Sequence, residues 1–123
     1  TKKYTENFLL LDVEFPYIVN NYKKYGQYLM LRISKFENIN NLDQLNKYIE
    51  WVWLDTYEKF EFKDTYKDEL NAFKICLVSI ERWLEDYETV NFINEIKDLN
   101  LNINAVLTDT KTVKKWEKFY ISK

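Results

Sequence analysis

DTYKDELNAFKICLVSIERWLEDY, residues 64–87, carries the most regular apolar pattern of the chain. Apolar side chains recur in it at spacings of four and three without a break. They are Tyr66, Leu70, Phe73, Leu77, Ile80, Leu84 and Tyr87. This spacing places all seven on one stripe of an α-helix. Thr65 is a suitable N-cap, and Asp68 and Glu69 lie in the first turn, where the helix dipole favours acids. We therefore predict one long helix over 64–87.

The aromatic run just before it, WVWLDTYEKFEF at 51–62, falls within a second predicted helix over 42–60. Asn41 is the expected cap, with Gln44 three residues on as in a capping box. The core face of this helix is Leu45, Ile49, Val52, Trp53 and Phe60. Trp51 and Leu54 fall on its other side, so they are explained either by a second covering element or by a binding partner.

The remaining segments give shorter elements. Residues 16–36 keep helical spacing after Pro16, but Leu29, Leu31 and Ile33 alternate as in a strand; we favour helix. FLLLDVEF at 8–15 suits either a short strand or a helical turn. Thr89 opens a short helix that carries Phe92, Ile93, Ile96 and Leu99. Residues 101–105 alternate like a strand, and a last helix begins at Asp109 or Thr110 with Val113, Trp116 and either Phe119 or Tyr120 inward.

These elements predict a mainly α protein: a single compact domain over 1–123 with four or five helices and one or two short strands. The alternative is an α+β fold, since residues 28–34 and 101–107 suit helix or strand. With 123 residues and no linker-like stretch, one domain is the economical reading. The longest uncharged apolar piece is FLLL at 8–11, too short for a membrane span or a signal peptide. We predict a soluble, cytoplasmic protein.

The composition excludes the commonest catalytic sites. The chain has no histidine, one glycine (Gly26) and one cysteine (Cys76). The usual zinc sites and the Ser-His or Cys-His nucleophile pairs need residues that it lacks, and phosphate-binding loops need several glycines. Cys76 lies in the apolar run KICLVSI, where a small buried side chain is the simplest interpretation. We predict no enzyme activity, no cofactor and no metal site. The alternative left open by the twenty acidic residues is a carboxylate-dependent enzyme that uses magnesium.

Charge is segregated along the chain. Residues 37–99 hold fifteen acidic and seven basic residues, a local balance of −8, whereas both ends are basic and the net charge is −2. An acidic surface keeps a protein soluble, and it also steers association with a basic partner. Lysines alternate with Trp116 and Phe119 near the C-terminus, a mixture seen on single-strand nucleic-acid surfaces. Because those aromatics have amphipathic helical spacing and the chain is acidic, nucleic-acid binding is not favoured.

The functional prediction is a non-enzymatic inhibitor that binds another protein, such as an immunity protein or antitoxin that neutralises a toxin, or a phage-encoded inhibitor of a host defence protein. Its partner is expected to present a basic surface. The predicted contact residues combine an aromatic anchor with carboxylates on one helical surface. They are Glu50, Trp51, Leu54, Asp55, Glu58 and Glu61. The alternative is a structural or assembly protein that forms a helical homodimer through the stripe from Tyr66 to Tyr87.

Overall fold

A computed structural model describes residues 9–34, 42–55, 64–82 and 89–121. Helices and short strands alternate along these segments. The helices are α1 (Phe15–Tyr25), α2 (Leu42–Leu45), α3 (Asp64–Asn71), α4 (Thr89–Leu99) and α5 (Val113–Ile121). The strands are β1 (Met30–Ile33), β2 (Trp51–Leu54), β3 (Lys74–Val78) and β4 (Ile103–Leu107). Two single 3-10 turns, Gly26–Tyr28 and Ile80–Arg82, follow α1 and β3.

The four strands form one parallel sheet in the sequential order β1-β2-β3-β4. The fold is therefore α/β, and the prediction of a mainly α domain is wrong. Each parallel pair needs a crossover connection, and such connections are right-handed almost without exception. In a sheet of sequential order, right-handed crossovers carry all their helices over the same face.

The core lies on that helix-covered face of the sheet. Every strand contributes to it, and so does each of the five described helices. The strand residues are Leu31, Ile33, Val52, Leu54, Ile75, Leu77 and Ile103. The helix residues are Ile18, Leu42, Leu45, Leu70, Phe92, Ile93, Ile96, Trp116 and Phe119. These side chains form one continuous cluster, and Val106 of β4 packs against it.

The long helix predicted over 64–87 is wrong. The chain is helical only to Asn71, turns at Ala72 and Phe73, and then enters β3. Leu70, Phe73, Leu77 and Ile80 are buried all the same, because α3, its C-terminal turn, β3 and the next 3-10 turn all face the core. The spacing therefore identified core residues but not their secondary structure. A short apolar run such as ICLV in an interior parallel strand cannot be distinguished from a buried helix by periodicity.

The homodimer seam proposed along the same stripe loses its basis. Leu70, Phe73, Leu77 and Ile80 are packed inside their own chain. Leu84 and Tyr87 lie outside the described residues, as does the side chain of Tyr66. No continuous helical seam exists for a second copy to pair with.

The helix predicted over 42–60 is also wrong. α2 ends at Leu45, and WVWL forms β2. β-Branched and aromatic residues favour strands, and the alternating burial of β2 follows from a strand with one face on the core. As a result Leu54 joins the core, whereas Trp53, predicted to be core, does not. Phe60 lies outside the described residues.

The prediction of helix through residues 16–36 holds for α1 and fails for β1. Pro16 lies in the first turn of α1, as expected. At Gly26 the α-helix passes into the 3-10 turn, and the chain there lies close to Tyr48: a Cβ added at Gly26 would lie 2.4 Å from the Tyr48 carbonyl oxygen. After this contact, the strand-like alternation of Leu29, Leu31 and Ile33 is realised in β1 and the residue before it.

The C-terminal elements match their predictions in type, although α5 begins at Val113 rather than at Asp109 or Thr110. α4 begins at Thr89 and buries Phe92, Ile93 and Ile96, and the alternation after it becomes β4. Asparagines support these junctions: the Asn71 side chain donates to the Asn100 carbonyl and accepts from the Asn102 amide. Asn104 Oδ1 accepts from the Ile75 amide at 3.0 Å, beside the register shift between β3 and β4. In α5, Trp116 and Phe119 are buried, but Val113 is exposed rather than inward.

Candidate functional site

Ligands of α/β proteins bind most often at the carboxyl ends of parallel strands, and a polar cluster lies there. Ser79 follows β3, Thr108 follows β4, and Thr112 precedes α5. All three hydroxyls donate to the Glu81 carboxylate, that of Thr112 at 2.7 Å. Trp116 Nε1 donates to Ser79 Oγ at 3.0 Å. We call these five residues the Glu81 cluster.

The hydrogen bonds of the Glu81 cluster stabilise the fold and do not form a reactive site. Partial burial raises the pKa of Glu81, but the three hydroxyl hydrogen bonds lower it by more, so the pKa lies below its ordinary value. A carboxylate of lowered pKa is a weak general base, and the Ser79 side chain beside it has no exposed surface. The polar groups of the cluster are directed at one another, so the cluster ties the end of β3 to α5.

The face of the sheet that points away from the core is the more informative surface. Its side chains lie between the core residues along each strand. They are Met30, Arg32, Trp51, Trp53, Lys74, Cys76, Val78, Ala105 and Leu107. We call this surface the tryptophan face. Val78 is buried; the others are half-buried or exposed. None of these nine belongs to the core cluster to which the described helices contribute.

Two rows of side chains cross the tryptophan face. In the first, Met30, Trp51 and Lys74 are register partners on β1, β2 and β3. In the second, the partners are Arg32, Trp53, Cys76 and Ala105, the last on β4. Each tryptophan therefore lies beside a cation, and the Lys74 ammonium is 5.7 Å from the centre of the Trp51 ring.

Acidic residues from outside the face pair with both cations. Arg32 Nη2 lies 2.9 Å from Asp12 Oδ1, and Lys74 Nζ contacts Glu50 Oε1. Asp12 has a positive φ of 64°, a conformation that Asp tolerates better than most residues. The charged residues that belong to the strand face itself are both basic.

Two donors on this face have no acceptor. Arg32 Nε and Trp53 Nε1 are covered from solvent and make no hydrogen bond within the part of the chain that the structure describes. More than nine in ten buried polar groups of proteins have a partner, so each exception calls for a cause. The two residues are register partners on β1 and β2, which places both donors in the same region of the face.

The predicted contact residues do not share a helical surface. Trp51 lies on the tryptophan face, and Glu50 is exposed beside it with Lys74 as its ion-pair partner. Leu54 is completely buried, and Asp55, just after β2, is 6 % exposed. Glu58 and Glu61 lie outside the described residues.

Arg32, Trp53 and Met30 were not predicted as site residues. The alternation through Leu29, Leu31 and Ile33 was the available signal: assigned to a strand, it places Met30 and Arg32 opposite the core. If WVWL is likewise assigned to a strand, Trp51 and Trp53 lie on the same face of the sheet. Cys76, predicted to be a small buried side chain, is half-buried on this face, and burial raises the pKa of its thiol.

Other kinds of site find no support in the described segments. Residues 9–34, 42–55, 64–82 and 89–121 contain no group of three or more Cys, Asp or Glu residues that could hold a metal ion. Over the same ranges, no helix combines the length and apolar character needed to cross a bilayer. The burial of Trp116 and Phe119 removes them as stacking platforms for nucleic-acid bases.

Comparison with protein-family models, with curated proteins and with solved structures finds no match to this chain. The residues of the tryptophan face are therefore the basis for a functional proposal.

Proposed function

We propose that this chain is a non-enzymatic protein that binds another protein through the tryptophan face. The observation that carries the proposal is a parallel sheet whose described helices pack on one face only. Parallel sheets occur almost always with both faces covered by other elements. A partner that packs on the second face would supply the layer that the described helices do not.

The residue types on this face support the same conclusion. Tryptophan, arginine and methionine are enriched in protein interfaces, and tryptophan and arginine dominate their energetic centres. Here Trp51, Trp53, Arg32 and Met30 lie on adjacent strands. A rigid sheet holds these side chains in fixed positions, which reduces the entropy lost on binding.

An inhibitor is the kind of binding protein that we favour. An immunity protein, an antitoxin or a phage-encoded inhibitor of host defence acts by covering a functional surface of its target and needs no chemistry of its own. A small, rigid sheet that presents two tryptophans suits such a role.

The test is affinity capture with matched variants, from cells of the organism that encodes the chain. The double variant Trp51→Ala/Trp53→Ala removes both anchors, and Val90→Ala, at an exposed residue of α4, is the control. We expect the wild-type chain and the control to retain one stoichiometric protein and the double variant to lose it. A recovered enzyme whose activity falls at a one-to-one ratio supports the inhibitor.

Two outcomes contradict the proposal: no stoichiometric protein is captured, or the same protein is captured equally by the double variant while circular dichroism shows that the variant is folded. Light scattering tests self-association separately. A homodimer that the double variant dissociates identifies the face as a self-interface and replaces the inhibitor by the assembly role.

A further inference from the structure

Among the residues that the structure describes, the buried donors without a partner lie on the tryptophan face. The described chain offers direct comparisons elsewhere: Trp116 Nε1 donates to Ser79 Oγ at 3.0 Å in the core, and Arg82 Nη1 donates to Asp109 Oδ1 at 2.7 Å. Arg32 and Trp53 are the same residue types, yet Arg32 Nε and Trp53 Nε1 lack acceptors. The absence is therefore a property of this place on the sheet rather than of the side chains.

The basic strand residues favour an acidic acceptor at this place on the face, which differs from the basic partner surface expected from the sequence. The two charged strand residues of the face, Arg32 and Lys74, are basic. Asp12 contacts the Nη2 atom of Arg32, and the neighbouring Nε atom makes no hydrogen bond within the described residues. A carboxylate has two oxygens and about four lone-pair sites, which is enough to accept from a guanidinium and an indole together.

We propose that the protein partner docks with an Asp or Glu side chain whose carboxylate accepts hydrogen bonds from Arg32 Nε and Trp53 Nε1. This inference rests on the proposed function. Both nitrogens are covered in the free chain, so docking includes a rotation of the Trp53 or Arg32 side chain that turns the N–H groups outward. Side-chain rotations of this kind are common at interfaces that keep their backbone.

The inference predicts that one substitution weakens binding more than it changes stability. Trp53→Phe keeps an aromatic ring and removes the indole N–H. In the free chain the loss of a buried donor without a partner is favourable, and the loss of ring area from a half-buried side chain is unfavourable, so the melting temperature is expected to change little. In the complex the substitution deletes a hydrogen bond to a charged group, so affinity is expected to fall by about tenfold. Trp51→Phe, on the same strand and face, is the matched control and should change affinity by less than about threefold.

The experiment uses peptides as the probe. A displayed library of random peptides is selected on the full wild-type chain, and the winners are measured against the wild type, Trp53→Phe, Trp51→Phe and Arg32→Lys. Arg32→Lys keeps the charge and removes the Nε–H. We expect winners that contain an Asp or Glu whose change to the amide weakens binding to the wild type by about tenfold. The same acid-to-amide change should weaken binding to Trp53→Phe much less, because the peptide carboxylate and the Trp53 indole N–H form one interaction.

The outcomes separate the inference from the proposed function. If winners require the face, shown by loss of binding to Trp51→Ala/Trp53→Ala, but tolerate Trp53→Phe or lack an essential acid, the protein-binding proposal stands and the carboxylate inference fails. If no winner is obtained, or none depends on the face, the carboxylate inference fails, and the affinity capture described above decides the protein-binding proposal.

Discussion

Thr112 Oγ1 donates a 2.7 Å hydrogen bond to Glu81 Oε1, which joins the 3-10 turn after β3 to the residue that precedes α5. Ser79 and Thr108 donate to the same carboxylate, and the Asp109 amide lies 3.3 Å from it. Four donors from two connections thus meet at one carboxylate. This carboxylate therefore links the carboxyl ends of β3 and β4, in addition to the backbone hydrogen bonds between the strands.

Stability is predicted to fall in acid through Glu81. Because the pKa of Glu81 is lower in the folded chain than its ordinary value, the ionised form stabilises the fold. That contribution is complete above the unfolded pKa and is lost as the pH falls through the folded pKa. Urea unfolding from about pH 7 to about pH 3 should show a steeper loss for the wild type than for Glu81→Gln.

At neutral pH, Glu81→Gln is expected to cost about 1–2 kcal/mol, because hydrogen bonds to a charged acceptor are replaced by bonds to a neutral one. Glu69→Gln, at an exposed residue of α3, is the control and should change stability by less than about 0.5 kcal/mol. Parallel pH profiles for the wild type and Glu81→Gln would show that Glu81 is not the group responsible.

Gly26→Ala is predicted to destabilise the fold by about 1–3 kcal/mol. The added Cβ would lie 2.4 Å from the carbonyl oxygen of Tyr48, and a backbone atom cannot move aside as the tip of a side chain can. The Tyr22 and Tyr48 rings, whose centres are 5.3 Å apart, would be displaced with it. Urea unfolding measures the change, with Gln27→Ala at the exposed neighbour as control. Equal stability of Gly26→Ala and the wild type would contradict the close contact.

Burial could be predicted from this sequence better than secondary structure. Leu70, Phe73, Leu77 and Ile80 were placed in the core correctly although the helix that joined them does not exist. In a four-residue strand, alternation covers two core residues only, and a helical stripe through the same residues fits as well. The β-branched and aromatic content of WVWL was the stronger signal, because it reflects packing on a sheet.

The candidate site could not be predicted because it depends on register. Arg32 and Trp53 are distant in sequence and become neighbours only when β1 and β2 pair in parallel. A shift by one residue would exchange both faces of a strand, so Leu54 would leave the core and Trp53 would enter it. The predicted helix over 42–60 contained the same error, because it placed Trp53 in the core and Leu54 outside it. Parallel strands are joined by long crossover connections rather than by a short turn, so no local sequence motif identifies which residues pair.

The Cys76 thiol is predicted to react slowly. Burial raises its pKa, so less thiolate is present near neutral pH than for a free cysteine, and the thiolate is the reactive form. Alkylation by iodoacetamide at about pH 8 should be several-fold slower in the folded chain than in concentrated urea, where the same residue is exposed. Mass spectrometry gives both rates. Equal alkylation rates in the two states would show that the folded chain does not shield the Cys76 thiol.

Leu54→Ala distinguishes the strand from the predicted helical contact surface. Leu54 has no exposed surface and belongs to the core cluster, so the truncation is expected to cost about 2–5 kcal/mol. Leu10→Ala, at a residue that is 47 % exposed, is the control and should cost less than about 1 kcal/mol. Urea unfolding measures both variants, and a Leu54→Ala chain that fails to fold agrees with the expected direction. A stable variant that has lost partner binding would instead place Leu54 on the contact surface and refute the register of β2.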